Sequence, residues 1–316
     1  MNTSTSPSPM PTLPGKVLIA VDSSAASRHA VAYARNIVAQ GGTVRLVSVA
    51  ENPRTLVPTG SFVGEALSSA RAELLRDAAD ALAVAGEAFA QCNIRVETDA
   101  IDLSVHGGDV VHALVEAADT WQAELLVVGT RQHHGLLRWI EGTVSEPLAK
   151  LSRCPLLIVP ATHTVKAERA PERILFAVDG SRQAMAALHY GVRFATRDAH
   201  VRAIYVVDRA VRLGDFVPID ALEAGFVDEG THALAQAEPI LAGASGRSST
   251  RLVRTARTDD DVAHAIVREA GHWQADLIVM GTHGRRGVAR WMLGTVAGRV
   301  AQLSQTPLLL VHALEA

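Results

Sequence analysis

Gly281, Gly284, Gly294 and Thr295 are spaced along the segment GTHGRRGVARWMLGTV in a way that suits a phosphate group. Gly281 and Gly284 let the backbone approach a ligand closely, and N–H groups of such a loop can form an anion-binding nest. Gly294 and Thr295 begin a predicted helix, whose unsatisfied N–H groups and positive dipole end attract phosphate. Arg285 or Arg286 adds a cation for charge-assisted hydrogen bonds. The segment predicts a phosphate cradle, although a tight turn before a helix needs the same glycines.

An earlier segment, GTRQHHGLLRWIEGTV, has the same outline. Gly129, Gly142 and Thr143 match, but Gln132 stands at the second glycine position. A side chain there is costly if the position needs a positive φ, and it takes space from a phosphate. Glu141 adds a negative charge just before the predicted helix. We therefore expect this earlier segment to form a weaker site than the later one.

The two segments belong to an internal duplication. WQAELLVVGT, which ends at Thr130, recurs 152 residues later as WQADLIVMGT, which ends at Thr282. LIAVDSS near the start of the first copy recurs as LFAVDGS in the second. In the second copy short apolar runs alternate with stretches of helical spacing, which is typical of a parallel α/β sheet. A repeat this long indicates two duplicated domains rather than a solenoid of short units.

The predicted fold is α/β, with two tandem doubly wound domains. Each contains a five-stranded parallel sheet in the order 3-2-1-4-5, with helices on both faces. In this order the first and fourth strands are neighbours, and ligands bind where the chain reverses direction between them. In the second copy VDGS follows the first strand, and the segment from Gly281 follows the fourth. The sequence therefore predicts one crevice that both loops line.

The predicted boundaries follow the repeat and the local composition. Residues 1–14 are rich in Ser, Thr and Pro, which predicts a disordered tail, and they lack the apolar region of a signal peptide. We assign the first domain to residues 15–160, the linker to 161–171 and the second domain to 172–316.

Helix limits in the second copy follow from apolar spacing and capping residues. Ser181 is the predicted N-cap of a helix after the first strand. A second helix is expected between Ile219 and Leu241. A third is expected over 259–273, with Thr258 or Asp259 as its cap.

Composition excludes several classes of protein. Of the 316 residues, 48% are hydrophobic but only 4% are aromatic, so the core must consist mainly of Ala, Val, Leu and Ile. A net charge of −3 argues against a general nucleic-acid binder. Cys92 and Cys154 show no metal or disulfide spacing, and no apolar run is long enough to span a membrane. We expect a cytoplasmic protein with neither a nucleic acid nor a membrane as partner.

The second copy resembles a universal stress protein domain, and the resemblance covers nearly all of both copies. Nucleotide-binding members of that family carry G-x2-G-x9-G-[ST] after the fourth strand and an Asp after the first. Gly281, Gly284, Gly294 and Thr295 have this spacing, and Asp179 lies in the VDGS loop. The P-loop motif and a GxGxxG fingerprint after the first strand are both absent from the sequence. The resemblance implies a tandem universal stress protein that binds ATP and regulates a stress response.

The spacing argument and the resemblance together define a candidate site in each domain. The second-domain set is Ala177, Val178, Asp179, Ser181, Val206, Met280, Gly281, His283, Gly284, Arg285, Gly294, Thr295 and Val296. The weaker first-domain set is Asp22, Ser24, Val49, Gly129, Arg131, Gly142, Thr143 and Val144. The resemblance implies Mg²⁺ only indirectly, through the phosphates of ATP, and no residue is expected to bind a metal directly.

Other functions remain open at this point. A weak ATPase or a self-phosphorylating protein needs a positioned base or acceptor, for which His283, Thr295 and Asp179 are only generic candidates. No catalytic residue is predicted. A nucleotide-free scaffold would use the glycines for packing alone, and the protein partner of a regulator or scaffold is unknown. The resemblance also implies that CPLLIVP and TPLLLVH meet in an intramolecular pseudo-dimer, from which two chains can form a homodimer.

Overall fold

The computed structural model describes residues 12–56, 64–130, 144–163, 169–209, 219–256, 260–284 and 293–312. Arg131, Gly142, Thr143 and Arg285, among the predicted site residues, lie outside these ranges, as do Gln132 and Glu141.

In the described residues ten strands form one sheet. The strands of the first half are β1 (Lys16–Ala20), β2 (Thr43–Ala50), β3 (Arg95–Asp102), β4 (Leu125–Thr130) and β5 (Leu156–Pro160). Those of the second half are β6 (Arg173–Ala177), β7 (His200–Val207), β8 (Arg247–Arg254), β9 (Leu277–Gly281) and β10 (Leu308–Val311).

Helices connect these strands. The first half contains α1 (Ala25–Ala34), α2 (Pro53–Leu56), α3 (Gly64–Glu87), α4 (Leu103–His106), α5 (Val110–Trp121) and α6 (Ser145–Leu151). The second half contains α7 (Arg182–Gly191), α8 (Ile219–Ala244), α9 (Val262–Trp273) and α10 (Thr295–Leu303), with a 3-10 turn at Val192–Phe194.

The strand order confirms the predicted topology in both halves. The sheet runs β3-β2-β1-β4-β5-β10-β9-β6-β7-β8, so each half has the local order 3-2-1-4-5 with parallel neighbours. β1 and β4 are adjacent in the first half, and β6 and β9 are adjacent in the second. The switch point between these strands is where the two predicted crevices open.

The two halves join through antiparallel pairing of β5 with β10, as expected for a pseudo-dimer within one chain. Leu308 pairs with Ile158 and Leu310 with Leu156, and all four side chains are buried. This pairing covers two apolar edge strands that would otherwise be open to association with other chains.

Two tyrosines at equivalent positions of the repeat reinforce the junction between the halves. The Tyr33 hydroxyl donates to the Asp276 carbonyl at 3.1 Å, and the Tyr190 hydroxyl donates to the Glu124 carbonyl at 2.7 Å. Each bond runs from one half to the other. Burial raises the pKa of both hydroxyls above the ordinary tyrosine value. The pseudo-twofold symmetry of the sheet therefore extends to its polar contacts.

The hydrophobic core lies on both faces of the sheet, which confirms the doubly wound class. One layer packs α1, α3, α7 and α8 against the sheet, and the other packs α5, α6, α9 and α10. Each layer contains residues of both halves. No helix in the described ranges is long and apolar enough to span a membrane.

Side-chain caps begin several helices that follow strands, and one of them corrects the sequence prediction. Ser181 caps α7 by accepting the Ala184 N–H, as predicted. Helix α9 begins later than expected, at Val262, and its cap is Asp261, which accepts the His264 N–H. Asp261 has the extended backbone that an N-cap needs, and its carboxylate reaches the third residue beyond it. The predicted caps Thr258 and Asp259 lie outside the described residues.

Candidate functional site

The loop after β6 is fixed by hydrogen bonds from its own residues. Val178 continues the strand ladder, because its N–H donates to the Ile204 carbonyl of β7 at 2.9 Å. The Asp179 Oδ1 atom accepts the Ser181 N–H at 3.0 Å, and Gly180 between them has a left-handed φ of 77°. The loop therefore holds Asp179 in one orientation at the carboxyl edge of the sheet.

The Asp179 carboxylate, in the loop after β6, lies against the backbone of Gly284, in the loop after β9. A Cβ added to Gly284 would lie 2.6 Å from Asp179 Oδ2, closer than a real Cβ can approach an oxygen. The φ of Gly284 is outside the left-handed region. The premise of a positive φ at this position is thus not met. A side chain here would instead force the Asp179 carboxylate or the Gly284 backbone to shift.

Gly281 and its first-domain counterpart Gly129 serve the packing of strand against helix. A Cβ on Gly281 would lie 3.1 Å from the backbone carbon of Gln183, in the first turn of α7. A Cβ on Gly129 would lie 2.3 Å from the Ala26 carbonyl oxygen in α1. The bare backbone at these two positions lets each helix begin directly beside the crevice.

Helix α10 begins beside the end of β9. The Gly294 N–H donates to the Thr282 carbonyl at 2.8 Å, which ties the start of α10 to the residue after β9. Gly294 is the N-cap residue and has no side chain to cap the helix, and Thr295 is exposed. The first turn of α10 therefore presents N–H groups and a positive dipole end at the carboxyl edge.

The remaining second-domain candidates line the same edge of the sheet. Ala177 ends β6 and lies opposite Met280 of β9, which is buried. Val206 is half-buried near the end of β7. It lies two residues after Ile204, which pairs with Ala177 in the strand register. Val296 is half-buried in the first turn of α10. The strand ends and the helix start thus meet around Asp179 and Gly284.

The first domain repeats part of this geometry. The Val21 N–H donates to the Val47 carbonyl at 2.8 Å, and Asp22 Oδ1 accepts the Ser24 N–H at 2.9 Å. Ser24 caps α1 through the Ser27 N–H. The loop that carries Asp22 is therefore built like the loop of Asp179. Val49 is half-buried in β2, and Val144 is exposed just before α6.

Sequence reasoning missed a polar cluster at the end of β9 and β10. The Thr282 hydroxyl lies 3.1 Å from His283 Nδ1 and 3.2 Å from His312 Nδ1. Burial, together with a smaller effect of the charge of His283, lowers the pKa of His312 to about 4. Burial also lowers the pKa of His283. The signal in the sequence was a histidine directly after the last apolar strand, which has meaning only once β10 is paired with β9.

Metal-binding residues are not grouped in the part of the chain that the structure describes. No set of three His, Cys, Asp or Glu side chains there could hold an ion. The Asp109–His112 and Asp261–His264 pairs are helix caps, in which each carboxylate accepts the backbone N–H of its histidine.

Comparison with known proteins identifies the family. The sequence profile of the universal stress protein family matches residues 14–160 and again residues 171–312. A universal stress protein of Mycolicibacterium smegmatis is 27% identical over 299 residues, which cover 94% of this chain and 96% of that protein. One from Methanocaldococcus jannaschii is 32% identical over 149 residues, or 46% of this chain and 84% of that protein.

A solved structure supports the same fold. The crystal structure of a universal stress protein from Archaeoglobus fulgidus matches with a TM-score of 0.60 at 18% identity, and covers 94% of this chain and 96% of that one. The family profile matches each half of the duplication separately, and each half has the strand order predicted for one domain. The chain therefore belongs to the universal stress protein family and contains two such domains in tandem.

Proposed function

We propose that this protein is an ATP-binding stress-response regulator whose nucleotide is held mainly by the second domain, within residues 172–316. The observation that carries the proposal is the meeting of Asp179 and Gly284 beside the start of α10. Residues about 100 positions apart in sequence converge there on the switch point, where open α/β sheets bind ligands.

The residues present fit the phosphates of a nucleotide. The backbone of Gly284 lies against the Asp179 carboxylate with no room for a Cβ between them, which brings the loops after β6 and β9 together at the switch point. Gly294 and Thr295 offer backbone N–H groups and a hydroxyl at the positive end of α10. Ala177 and Val206 supply apolar surface for the nucleoside. Mg²⁺ would be held through the phosphates, where it neutralises part of their charge.

We propose that the first domain binds nucleotide more weakly. The Asp22 loop supports retention of some affinity, because it has the hydrogen bonds of the Asp179 loop. The replacement of glycine by Gln132 supports a loss. In the second domain the equivalent glycine lies against a carboxylate, and Asp22 gives the first domain a carboxylate of its own. Occupancy of the second site would then bias the conformation that partners recognise, with little turnover of ATP.

The direct test is extraction of the purified protein followed by mass spectrometry, and calorimetry with ATP and Mg²⁺. We expect adenine nucleotide in the extract and tight binding of about one ATP per chain. Absence of both nucleotide and ATP binding would favour a nucleotide-free scaffold instead. Rapid phosphate release or labelled protein from radiolabelled ATP would favour an enzyme.

A further inference from the structure

The polar cluster of Thr282, His283 and His312 lies directly beside the proposed phosphate cradle. The Thr282 carbonyl accepts the Gly294 N–H that begins α10, while the Thr282 hydroxyl contacts both imidazoles. A Cβ on Gly294 would lie 3.5 Å from the Cα of His283, which shows how closely the histidine approaches the helix start. Any phosphate at the start of α10 would therefore bind next to this cluster.

The hydrogen bonds within the cluster leave one nitrogen of each imidazole unsatisfied. Nε2 of His283 and Nε2 of His312 are both buried without a hydrogen-bond partner among the described residues. The Thr282 hydroxyl can donate to one Nδ1 and accept from the other, or accept from both. In the first case one Nε2 is a buried N–H donor with nothing to accept its proton. A buried unpaired group of this kind costs about 1–3 kcal/mol.

Both imidazoles are neutral near pH 7 because the cluster resists positive charge. Burial is the main cause for each, and for His312 the neighbouring His283 adds to it. The Asp179 carboxylate, which accepts the Ser181 N–H, lies against Gly284, the residue that follows His283. An anion that arrived at the helix start would reverse this balance, since it favours the imidazolium form.

The cluster is specific to the second domain. Thr130 occupies the position of Thr282 in the first domain, but Arg131 and Pro160 stand where the second domain has His283 and His312. Thr130 is paired with Pro160 in the strand register. The first domain therefore lacks both titratable groups, although its strands end in the same arrangement.

We propose that the Thr282–His283–His312 cluster takes up a proton when phosphate binds at the start of α10, so that nucleotide affinity rises as the pH falls. This inference rests on the proposed function. The incoming anion stabilises one imidazolium, which donates Nδ1–H to Thr282 and Nε2–H to a phosphate oxygen. The pKa of that histidine is then higher in the complex than in the free protein. The gain in affinity is complete below the free-protein pKa and is lost as the pH rises through the pKa of the complex.

Calorimetry measures this proton directly. ATP is titrated at pH 7 into wild type and H312Q in two buffers of different ionisation enthalpy, PIPES and Tris. The difference in observed heat gives the protons taken up per ATP, and subtraction of the variant removes the protons of ATP itself. We expect wild type to take up a fraction of a proton, up to about one, more than H312Q. H272Q, which changes an exposed histidine in the last turn of α9, should behave as wild type.

The outcomes separate the two proposals. If wild type, H312Q and H283Q all bind ATP with equal proton uptake, the histidine inference is overturned while ATP binding stands. If wild type does not bind ATP, the proposed function fails and the inference fails with it. Thermal unfolding checks that H312Q and H283Q are folded. In the ATP complex the NMR titration of His312 or His283 should also show a pKa above that of the free protein.

Discussion

Replacing Gly284 by alanine tests the cradle through a contact that the structure measures. The new Cβ would lie 2.6 Å from Asp179 Oδ2, so the two must separate by about 0.8 Å to reach an ordinary contact of 3.4 Å. The Asp179 carboxylate cannot retreat freely, because its other oxygen accepts the Ser181 N–H at 3.0 Å. The loop after β9 must move instead, away from the position in which it would contact phosphate.

Forcing an extra methyl group into such a contact costs about 1–3 kcal/mol. The free protein relieves most of this by a shift of Gly284, which is exposed, but the complex cannot if ATP fixes both sides of the crevice. We therefore expect G284A to bind ATP about 30-fold more weakly, which corresponds to about 2 kcal/mol. The longer side chain of G284Q, which reproduces the residue of the first domain, should weaken binding further.

Isothermal calorimetry with a matched glycine variant checks this expectation. Gly243 lies in α8, and a Cβ there would meet nothing within 4 Å, so G243A should keep wild-type affinity. Thermal unfolding confirms that both variants are folded. Wild-type affinity in G284A and G284Q would refute the reasoning that the close approach of Gly284 to Asp179 shapes the phosphate site.

Four further predictions follow from the described contacts. Y33F and Y190F should each lower the free energy of unfolding by about 1 kcal/mol, since each removes one hydrogen bond across the junction, and an unchanged free energy in denaturant unfolding would contradict this. In an alkaline absorbance titration of the wild type, neither hydroxyl should ionise near pH 10, because burial raises the pKa of both. S181A and S24A should each cost about 1 kcal/mol by loss of a helix cap, but only S181A should weaken ATP binding in calorimetry, because α7 begins in the loop that carries Asp179. E269A should cost about 3 kcal/mol in urea unfolding, because the buried carboxylate accepts from Arg202 and Arg251, and an unchanged midpoint would argue against this ion pair. The His112 backbone N–H lowers the pKa of Asp109 in the folded protein. The stabilisation from the α5 cap should therefore be complete above the pKa of Asp109 in the unfolded state, and it should be lost as the pH falls through the pKa in the folded state. NMR titration of the wild type, compared with D109N, can follow this loss.

Sequence patterns were sufficient for the fold because the duplication supplied each signal twice. The alternation of apolar runs with helical spacing, together with the right-handed connection rule, leads to the order 3-2-1-4-5 that both halves show. The pairing of the two apolar terminal strands, β5 and β10, was implied by family resemblance and by the lack of any other cover for their edges. The reciprocal bonds of Tyr33 and Tyr190 could not be predicted, because they depend on how the two sheets align.

The candidate site was predictable in outline but not in physical cause. The spacing of Gly281, Gly284 and Gly294 placed all three at one edge, but only the structure distinguishes their reasons. Gly281 admits the backbone of α7, whereas Gly284 admits the carboxylate of Asp179. The contact of Thr282 with His312 was out of reach of sequence reasoning, because it joins two strands whose register is fixed only by packing. Short-range patterns specify caps and turns, and such long-range contacts require the assembled sheet.

A crystal structure of the protein with ATP and Mg²⁺ would show where the nucleotide binds. We expect nucleotide density in the second domain, with the phosphates at Gly284, Gly294 and Thr295 and the nucleoside beside Asp179 and Val206. Density confined to the first domain, or an ATP-soaked crystal with the second crevice filled only by solvent, would contradict it.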